Sequence, residues 1–274
     1  MPASPSAARP PGRQRPGALA GVIDFRGVLG ATVAELGRRI VGQEWAEGAA
    51  LPREADLGGA LGVSRSVIRE AFRVLGAKGL IRSRTSDGTR VLPRAEWRLL
   101  DPDVMDWRMK AGDSRALLLD LLKVRAVLEP GMVREAVTLA DATARTRIEA
   151  AWAAKQEVFR TSGPDPGPHY TERRRRFIEA DLEFHRAFLA AVDSPLLSQL
   201  FAVIEAALTL LLDLQMRAVG YETEMIGMDE SQELHQAVHA AFAAGDAGGA
   251  EAAMRRLIVR AIEDAHKGLT RPPA

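Results

Sequence analysis

The sequence predicts a mainly α-helical chain: an N-terminal winged helix-turn-helix with a small β-wing, followed by an all-α helical bundle. Three observations predict it. Between Gly48 and Val91, a short helix signal is followed by a glycine turn, a basic helix and two short strand signals. From Ala111 onward apolar residues recur at helical spacing and no segment reads convincingly as a strand. Between the two, Pro93 to Trp107 is a connector carrying Trp97, Leu99, Leu100, Val104 and Trp107, apolar enough to be docked rather than floppy.

The N-terminal module reads as follows. Leu51-Pro52 is an extended dipeptide, because the proline ring disfavours helical geometry at the residue before it. Leu57 and Leu61 give the segment Glu54 to Leu61 one apolar face, and Gly62 breaks it. Ser64 is a helix N-cap. From Arg65 to Lys78 the stripe Val67, Ile68, Ala71, Phe72, Leu75 faces inward, while Arg65, Ser66, Arg69 and Arg73 lie largely off it. Gly79 ends this helix. Leu80-Ile81 and Thr89-Val91 are short strands around a turn at Ser86-Asp87-Gly88.

A helix with guanidinium groups near its exposed N-terminal end suits the major groove, where arginine forks onto the two acceptors of a guanine edge. A solvated basic face is the plainer reading. Local charge speaks against it: Leu51 to Arg94 holds nine basic and four acidic residues, +5 in a chain whose total is +1. Neutralising phosphates requires such a concentration.

Composition excludes several classes. With no cysteine there is neither a disulfide nor a thiolate zinc site. No run reaches the ~20 apolar residues of a membrane span, and the Pro/Ala/Arg/Gly-rich start lacks the apolar stretch of a secretory signal. A cytoplasmic protein is expected. The expected organisation is a disordered tail over 1–24, the winged module over 25–94, a linker over 95–110 and a helical domain over 111–270.

In that last domain helices are expected at Ser114–Ala140, Ala142–Phe159 (with a possible break), Thr171–Val192, Pro195–Val219, Met228–Ala244 and Asp246–Lys267, and a loop at Thr161–His169. Gly245-Asp246 is a compact stop-and-start pair. Polar groups on inward stripes mark its chemistry. Asp181 and His185 stand four apart on the stripe Phe177, Asp181, His185, Phe188, Val192. His235 lies beside Leu234, Val238 and Phe242 on another helix. A buried unpaired carboxylate is costly. Either Asp181 accepts a hydrogen bond from His185 within the helix, or the residues converge on a metal ion. Arg125 sits on the stripe Leu118, Leu121, Leu122, Arg125, Leu128, Met132. It is snorkelling, paired with Glu129, or placed to receive an anion.

The stretch from Gly48 to Val91 resembles the DNA-binding domain of the GntR family of bacterial transcription regulators. The resemblance implies that Ser64, Arg65, Ser66 and Arg69 face DNA, with Thr85 and Ser86 at the wing tip. Two positions depart from the family pattern. Ala55 stands where the family often has an arginine, so either Arg53 takes over that contact from another angle or the contact is absent. Ser86 and Asp87 replace a glycine and a base, and the acid should weaken phosphate contact.

Residues 111–270 resemble the FCD ligand-binding domain of the FadR subfamily, and the linker resembles a subgroup associated with sugar-acid catabolism. This resemblance implies a divalent metal (zinc, nickel or manganese) on Asp181, His185 and His235, with a fourth histidine where this chain has Leu257. His239, one turn after His235, is a substitute to consider. The resemblance also places an arginine near Arg125 in the pocket lining. The implied protein is a regulator without a catalytic residue: a homodimer on a palindromic double-stranded operator, controlled by a small organic acid. A metal-dependent enzyme in the helical domain is the rival reading; no general base or nucleophile is evident beside the ligands.

Overall fold

The computed structural model describes residues 27–161, 170–218 and 228–268. The expected tail over 1–24 and most of the loop at Thr161–His169 lie outside them. Thr161 itself is the last residue of a helix.

The N-terminal head is built from α1 (Gly27–Val41), α2 (Glu54–Leu61), α3 (Arg65–Ala77), β1 (Ile81–Arg84) and β2 (Gly88–Val91). The sequence reading had not identified α1; its buried Val33, Leu36 and Ile40 form the floor under α3. Gly62 adopts φ 65° and closes α2. Gly58 permits the turn, because a Cβ there would meet the Val63 carbonyl oxygen at 2.9 Å. Ser64 caps α3, its hydroxyl accepting from the Val67 amide at 3.4 Å. Ile68, Ala71, Phe72 and Leu75 are the buried face of α3. The wing strands are longer than expected and pair antiparallel, with Ile81 opposite Val91 and Arg84 opposite Gly88.

The connector does more than dock. After a 3₁₀ turn at Arg94–Glu96 it forms a helix, α4 (Pro102–Lys110). The signal was present in the sequence: Asp101 accepts from the amides of Asp103 and Val104, and Pro102 occupies the first turn, where its missing N–H costs nothing. Val104 and Trp107 enter the core of the head, whereas Met105 enters the core of the bundle. Trp107 can lie flat on α1 only because position 37 is glycine; a Cβ there would come within 2.3 Å of the indole ring. Lys78, at the end of α3, reaches Asp101 at 2.8 Å and Asp103 at 2.7 Å. On the bundle side, buried Arg108 bonds Asp113 at 2.6 Å and Asp120 at 3.3 Å.

The bundle comprises α5 (Ser114–Leu139), α6 (Ala142–Thr161), α7 (Tyr170–Ala191), α8 (Pro195–Ala218), α9 (Met228–Ala243) and α10 (Ala247–Gly268). Each expected helix is present within two residues at each end, and α6 is unbroken. No strand occurs among its described residues, and no described helix is long and apolar enough to cross a membrane. α5 packs on α10 and α7, α6 on α7, and α9 on α10. Gly245 at φ 72° ends α9, and Asp246 accepts from the Gly249 amide at 2.8 Å to start α10.

Because Trp107 fills the joint between α1 and α4, Trp107→Ala is expected to destabilise the head by about 3–5 kcal/mol, the usual range for removing a buried aromatic. Urea unfolding monitored by circular dichroism measures this; a loss under 1 kcal/mol would mean that α4 is not part of the head's core.

Candidate functional site

Two groups of candidate side chains stand out. The first is the outer face of the head. Arg53, Ser64, Arg65, Ser66, Arg69, Thr85 and Ser86 are all exposed there. The N-cap at Ser64 orients the first turn of α3 outward, so Arg65, Ser66 and Arg69 project away from the Ile68–Leu75 core. Arg69 rests against Glu54 at 3.1 Å, and Arg73 against Glu70 at 2.9 Å. At the wing, Asp87 is bound by Arg90 at 2.6 Å, and hydrogen bonding from that guanidinium holds its carboxyl below the usual range. The wing-tip acid is thus already paired, and it engages a base that would otherwise face outward.

The second is a polar cluster inside the bundle, assembled from four helices. α5 contributes Arg125 and Glu129, α6 Lys155, α7 Asp181 and His185, and α9 His235. The side chains of Arg125, Glu129, Lys155, His185 and His235 are each at most 4% exposed; Asp181 retains 16%. Glu129 is gripped by Arg125 through Nε and, at 3.3 Å, through Nη2. Burial alone would raise the Glu129 carboxyl, but the Arg125 and His185 charges overcome it and hold it at about 2. Pro130 follows inside α5, where its ring cannot donate to the preceding turn.

The ring atoms have assignable roles. His185 Nδ1 lies 2.7 Å from Glu129 Oε2. An ionised carboxylate only accepts, so the proton belongs on Nδ1, and Nε2 turns toward Asp181 Oδ2 at 3.8 Å. His235 Nδ1 lies 2.6 Å from the Ser231 carbonyl and donates to it. Burial, reinforced by the Lys155 charge, pushes His235 down to about 4, so near neutral pH its Nε2 is a bare lone pair. That lone pair faces Asp181 Oδ1 at 3.0 Å, acceptor against acceptor. Asp181 itself accepts from Lys155 Nζ at 2.7 Å. Burial would raise this carboxyl too; the Lys155 charge beside it opposes burial, and the carboxyl lies well below the usual range.

The cluster corrects two expectations. At 3.8 Å, Asp181 and His185 do not form the simple intrahelical hydrogen bond that their spacing suggested. His239 is not a substitute ligand, since it bonds Glu149 at 2.9 Å and stacks on Trp152. Leu257 is buried in the apolar cluster with Phe184 and Phe188. The Arg125–Glu129 pair is present.

The residues fit a divalent metal. One donor atom each from Asp181, His185 and His235 lie within 4.8 Å of one another. Each imidazole has its other nitrogen against an acceptor, His185 Nδ1 close to the Glu129 carboxylate and His235 Nδ1 hydrogen-bonded to the Ser231 carbonyl, the environment metal-ligating histidines usually have. The orphaned His235 lone pair is the feature that a cation would satisfy.

A family model described as "Bacterial regulatory proteins, gntR family" matches residues 30–91, and the FCD domain model matches residues 120–260. The chain is 32% identical to the galactonate operon transcriptional repressor of Escherichia coli K12, over 82% of this chain and 91% of that one. It is 28% identical to a probable D-xylose utilization operon transcriptional repressor of Paenarthrobacter nicotinovorans, over 81% and 84%. A solved structure titled "Lar controls the expression of the Listeria monocytogenes agr system and mediates virulence" shares the fold, with TM-score 0.51 at 16% identity over 89% of this chain and 98% of that one. The chain belongs to the GntR family.

It is a FadR-type GntR regulator of the galactonate-type subgroup: a ligand-responsive, DNA-binding transcription regulator. The matched families and relatives are transcription regulators. Regulators of this family bind DNA through the GntR head, and their FCD domains bind small effectors and can hold metals. Sequence reading missed Glu129 as a member of the GntR regulator's cluster, seeing it only as a partner for Arg125. It missed Lys155 altogether. The one signal for Lys155 is its i+3 spacing from Trp152 and i−3 spacing from Val158, which puts an ammonium on the buried face of α6.

His235 and Glu129 give the metal-stripped protein a definite pH profile. Both have folded-state values below their ordinary ones of 6.5 and 4.5, so each contributes stability above its ordinary value that is lost as pH falls toward the folded one. Stability should therefore decline from about pH 6.5 to 4 through His235 and continue to decline from about 4.5 to 2 through Glu129. The slope per group is at most about 1.4 kcal/mol per pH unit. Denaturation midpoints of chelator-treated wild type and His235→Gln check the first window; if His235→Gln declines as steeply as wild type between pH 6.5 and 5, His235 is not the group responsible.

Proposed function

We propose that this protein is a dimeric repressor of a sugar-acid catabolic operon in the cytoplasm, released from a palindromic operator by a sugar acid bound in the buried cluster. The observation that carries the reading is the convergence of Asp181 and two oriented imidazoles beside two buried cations, inside the domain whose α5 also anchors the linker helix. A two-fold dimer would read two half-sites in matching symmetry. In the head, Arg65 and Arg69 would read base edges while Ser64, Ser66, Arg53, Thr85 and Ser86 hold the backbone. The resemblance to the galactonate operon repressor supports an aldonic acid as effector.

In the pocket, Asp181, His185 and His235 would hold a divalent metal, of which zinc, nickel or manganese suits two imidazoles and a carboxylate. When bound, the metal supplies a Lewis-acidic point for a carboxylate or hydroxyl oxygen. Glu129 and Ser231 keep the two rings turned inward. Arg125 donates to Glu129 through Nε and Nη2, and its remaining N–H groups are the second anchor for the effector. The rigid route outward runs along α5 to Asp120 and Asp113, through Arg108 into α4, and through Asp101, Asp103 and Lys78 to the end of α3.

Two measurements test this reading. Arg65→Ala should weaken specific operator binding by about 1–3 kcal/mol at fixed salt while leaving the bundle folded. If Arg65→Ala and Arg69→Ala both bind the operator as wild type does, the recognition-helix assignment is wrong. His235→Ala should lose both metal content and operator release by D-galactonate. Elemental analysis alongside gel-shift titration reads both; a metal-free wild type that still releases in response to the acid would remove the metal from the scheme. Light scattering of the full chain at micromolar concentration should give a dimer, and a monomer would contradict the half-site reading.

A further inference from the structure

Lys155 is an unusual neighbour for a metal site. Its side chain is 1% exposed, its Nζ bonds Asp181 Oδ1 at 2.7 Å, and it lies 4.6 Å from the Phe177 ring centroid. The oxygen it bonds is the same Oδ1 that faces the His235 lone pair at 3.0 Å. An ammonium therefore sits on the ligand oxygen through which a cation would be bound. The charge balance of the cluster is also closed. Arg125 is matched by Glu129 and Lys155 by Asp181. A divalent ion entering alone would bring two uncompensated positive charges into a buried site that already holds two fixed cations. That cost is large wherever water is scarce.

We infer that Lys155 is a tethered counter-ion that makes metal binding in this pocket conditional on an anionic co-ligand. The inference rests on the metal-supported reading of the pocket and adds a rule of operation to it. A carboxylate arriving with the metal offsets the added charge and supplies the donor that Leu257 does not. Lys155 can then share its ammonium between Asp181 and the incoming anion. Metal and organic acid bind cooperatively, and by linkage each raises the other's affinity by the same factor. A regulator built this way keeps its metal site weak until the acid is present.

Zinc titration of the chelator-stripped full-length protein by calorimetry tests this, with zinc alone and with zinc plus D-galactonate. Wild type should bind zinc weakly alone and at least about tenfold more tightly with the acid, a typical coupling magnitude. Lys155→Met should bind zinc alone at least about tenfold more tightly than wild type, with little further gain from the acid. Lys155→Arg, which keeps the charge, should resemble wild type. A lysine that only filled space would leave zinc affinity unraised on removal. Equal zinc affinity of wild type and Lys155→Met overturns the inference while leaving the metal site standing. Failure of both to bind zinc overturns the inference together with the metal-supported reading. If Lys155→Met loses its helical circular dichroism, Lys155→Gln and the wild-type comparison with and without acid decide: zinc affinity indifferent to both overturns the inference.

Discussion

The Asp181 carboxylate is the point on which the helical domain depends. Its charge is held deep among α6, α7 and α9, where an unpartnered carboxylate would be expelled or neutralised. It stays ionised because the Lys155 ammonium reaches it from α6. Every neighbour is fixed in turn: His235 by the Ser231 carbonyl, His185 by Glu129, and Glu129 by Arg125. Such a network commits the bundle to one arrangement of four helices, because removing one member leaves a buried charge or lone pair without its partner. It is also where an incoming ion or acid can act, since each new charge must be accommodated by the same few groups.

The bundle communicates with the head through a helix that belongs to both. α4 is short, yet its Trp107 and Val104 sit in one core and its Met105 in the other. Two buried cations fasten its ends. Lys78 ties its first turn to the end of α3, and Arg108 ties its last turn to the start of α5. Breaking either pair would strand a charge, so α4 moves with its neighbours rather than independently. A displacement of α5 at Glu129 would thus reach α3 through packed, ion-paired joints and not through a slack linker.

What the sequence disclosed divides along physical lines. Elements with strong local signals were legible: the turn at Gly62, the cap at Ser64, and the Gly245-Asp246 junction each obey short-range rules. The helices α5 to α10 showed themselves by apolar spacing. Helix α1 was missed because no capping residue directly precedes it in the sequence and no acid lies in its first turn, and α4 because its large apolar residues were read as a docked connector. In the pocket, Asp181, His185 and His235 stood out as polar residues on apolar stripes. Lys155 did not, because its charge hides among ordinary basic residues, and nothing local says that its partner lies on another helix. The assignment of ring protons was likewise beyond reach, since it depends on Ser231 and Glu129 meeting the rings in space.

The same economy of pairing shapes the outer face of the head, where the proposed DNA contacts lie. In the free protein Arg69, Arg73 and Arg90 each rest on a nearby acid: Glu54, Glu70 and Asp87. These pairs are exposed, so each is worth little in stability. Their effect falls on binding instead. In the proposed complex a phosphate or base edge would have to exchange with the acid before it gained the guanidinium, which would lower nonspecific attraction more than it would lower a geometrically matched, bidentate contact. Arg65, exposed at the start of α3, has no acidic partner among the described residues. The head therefore combines exposed guanidinium groups without an acid partner, at Arg53, Arg65 and Arg82, with the restrained ones at Arg69, Arg73 and Arg90, an arrangement that would favour discrimination over raw affinity.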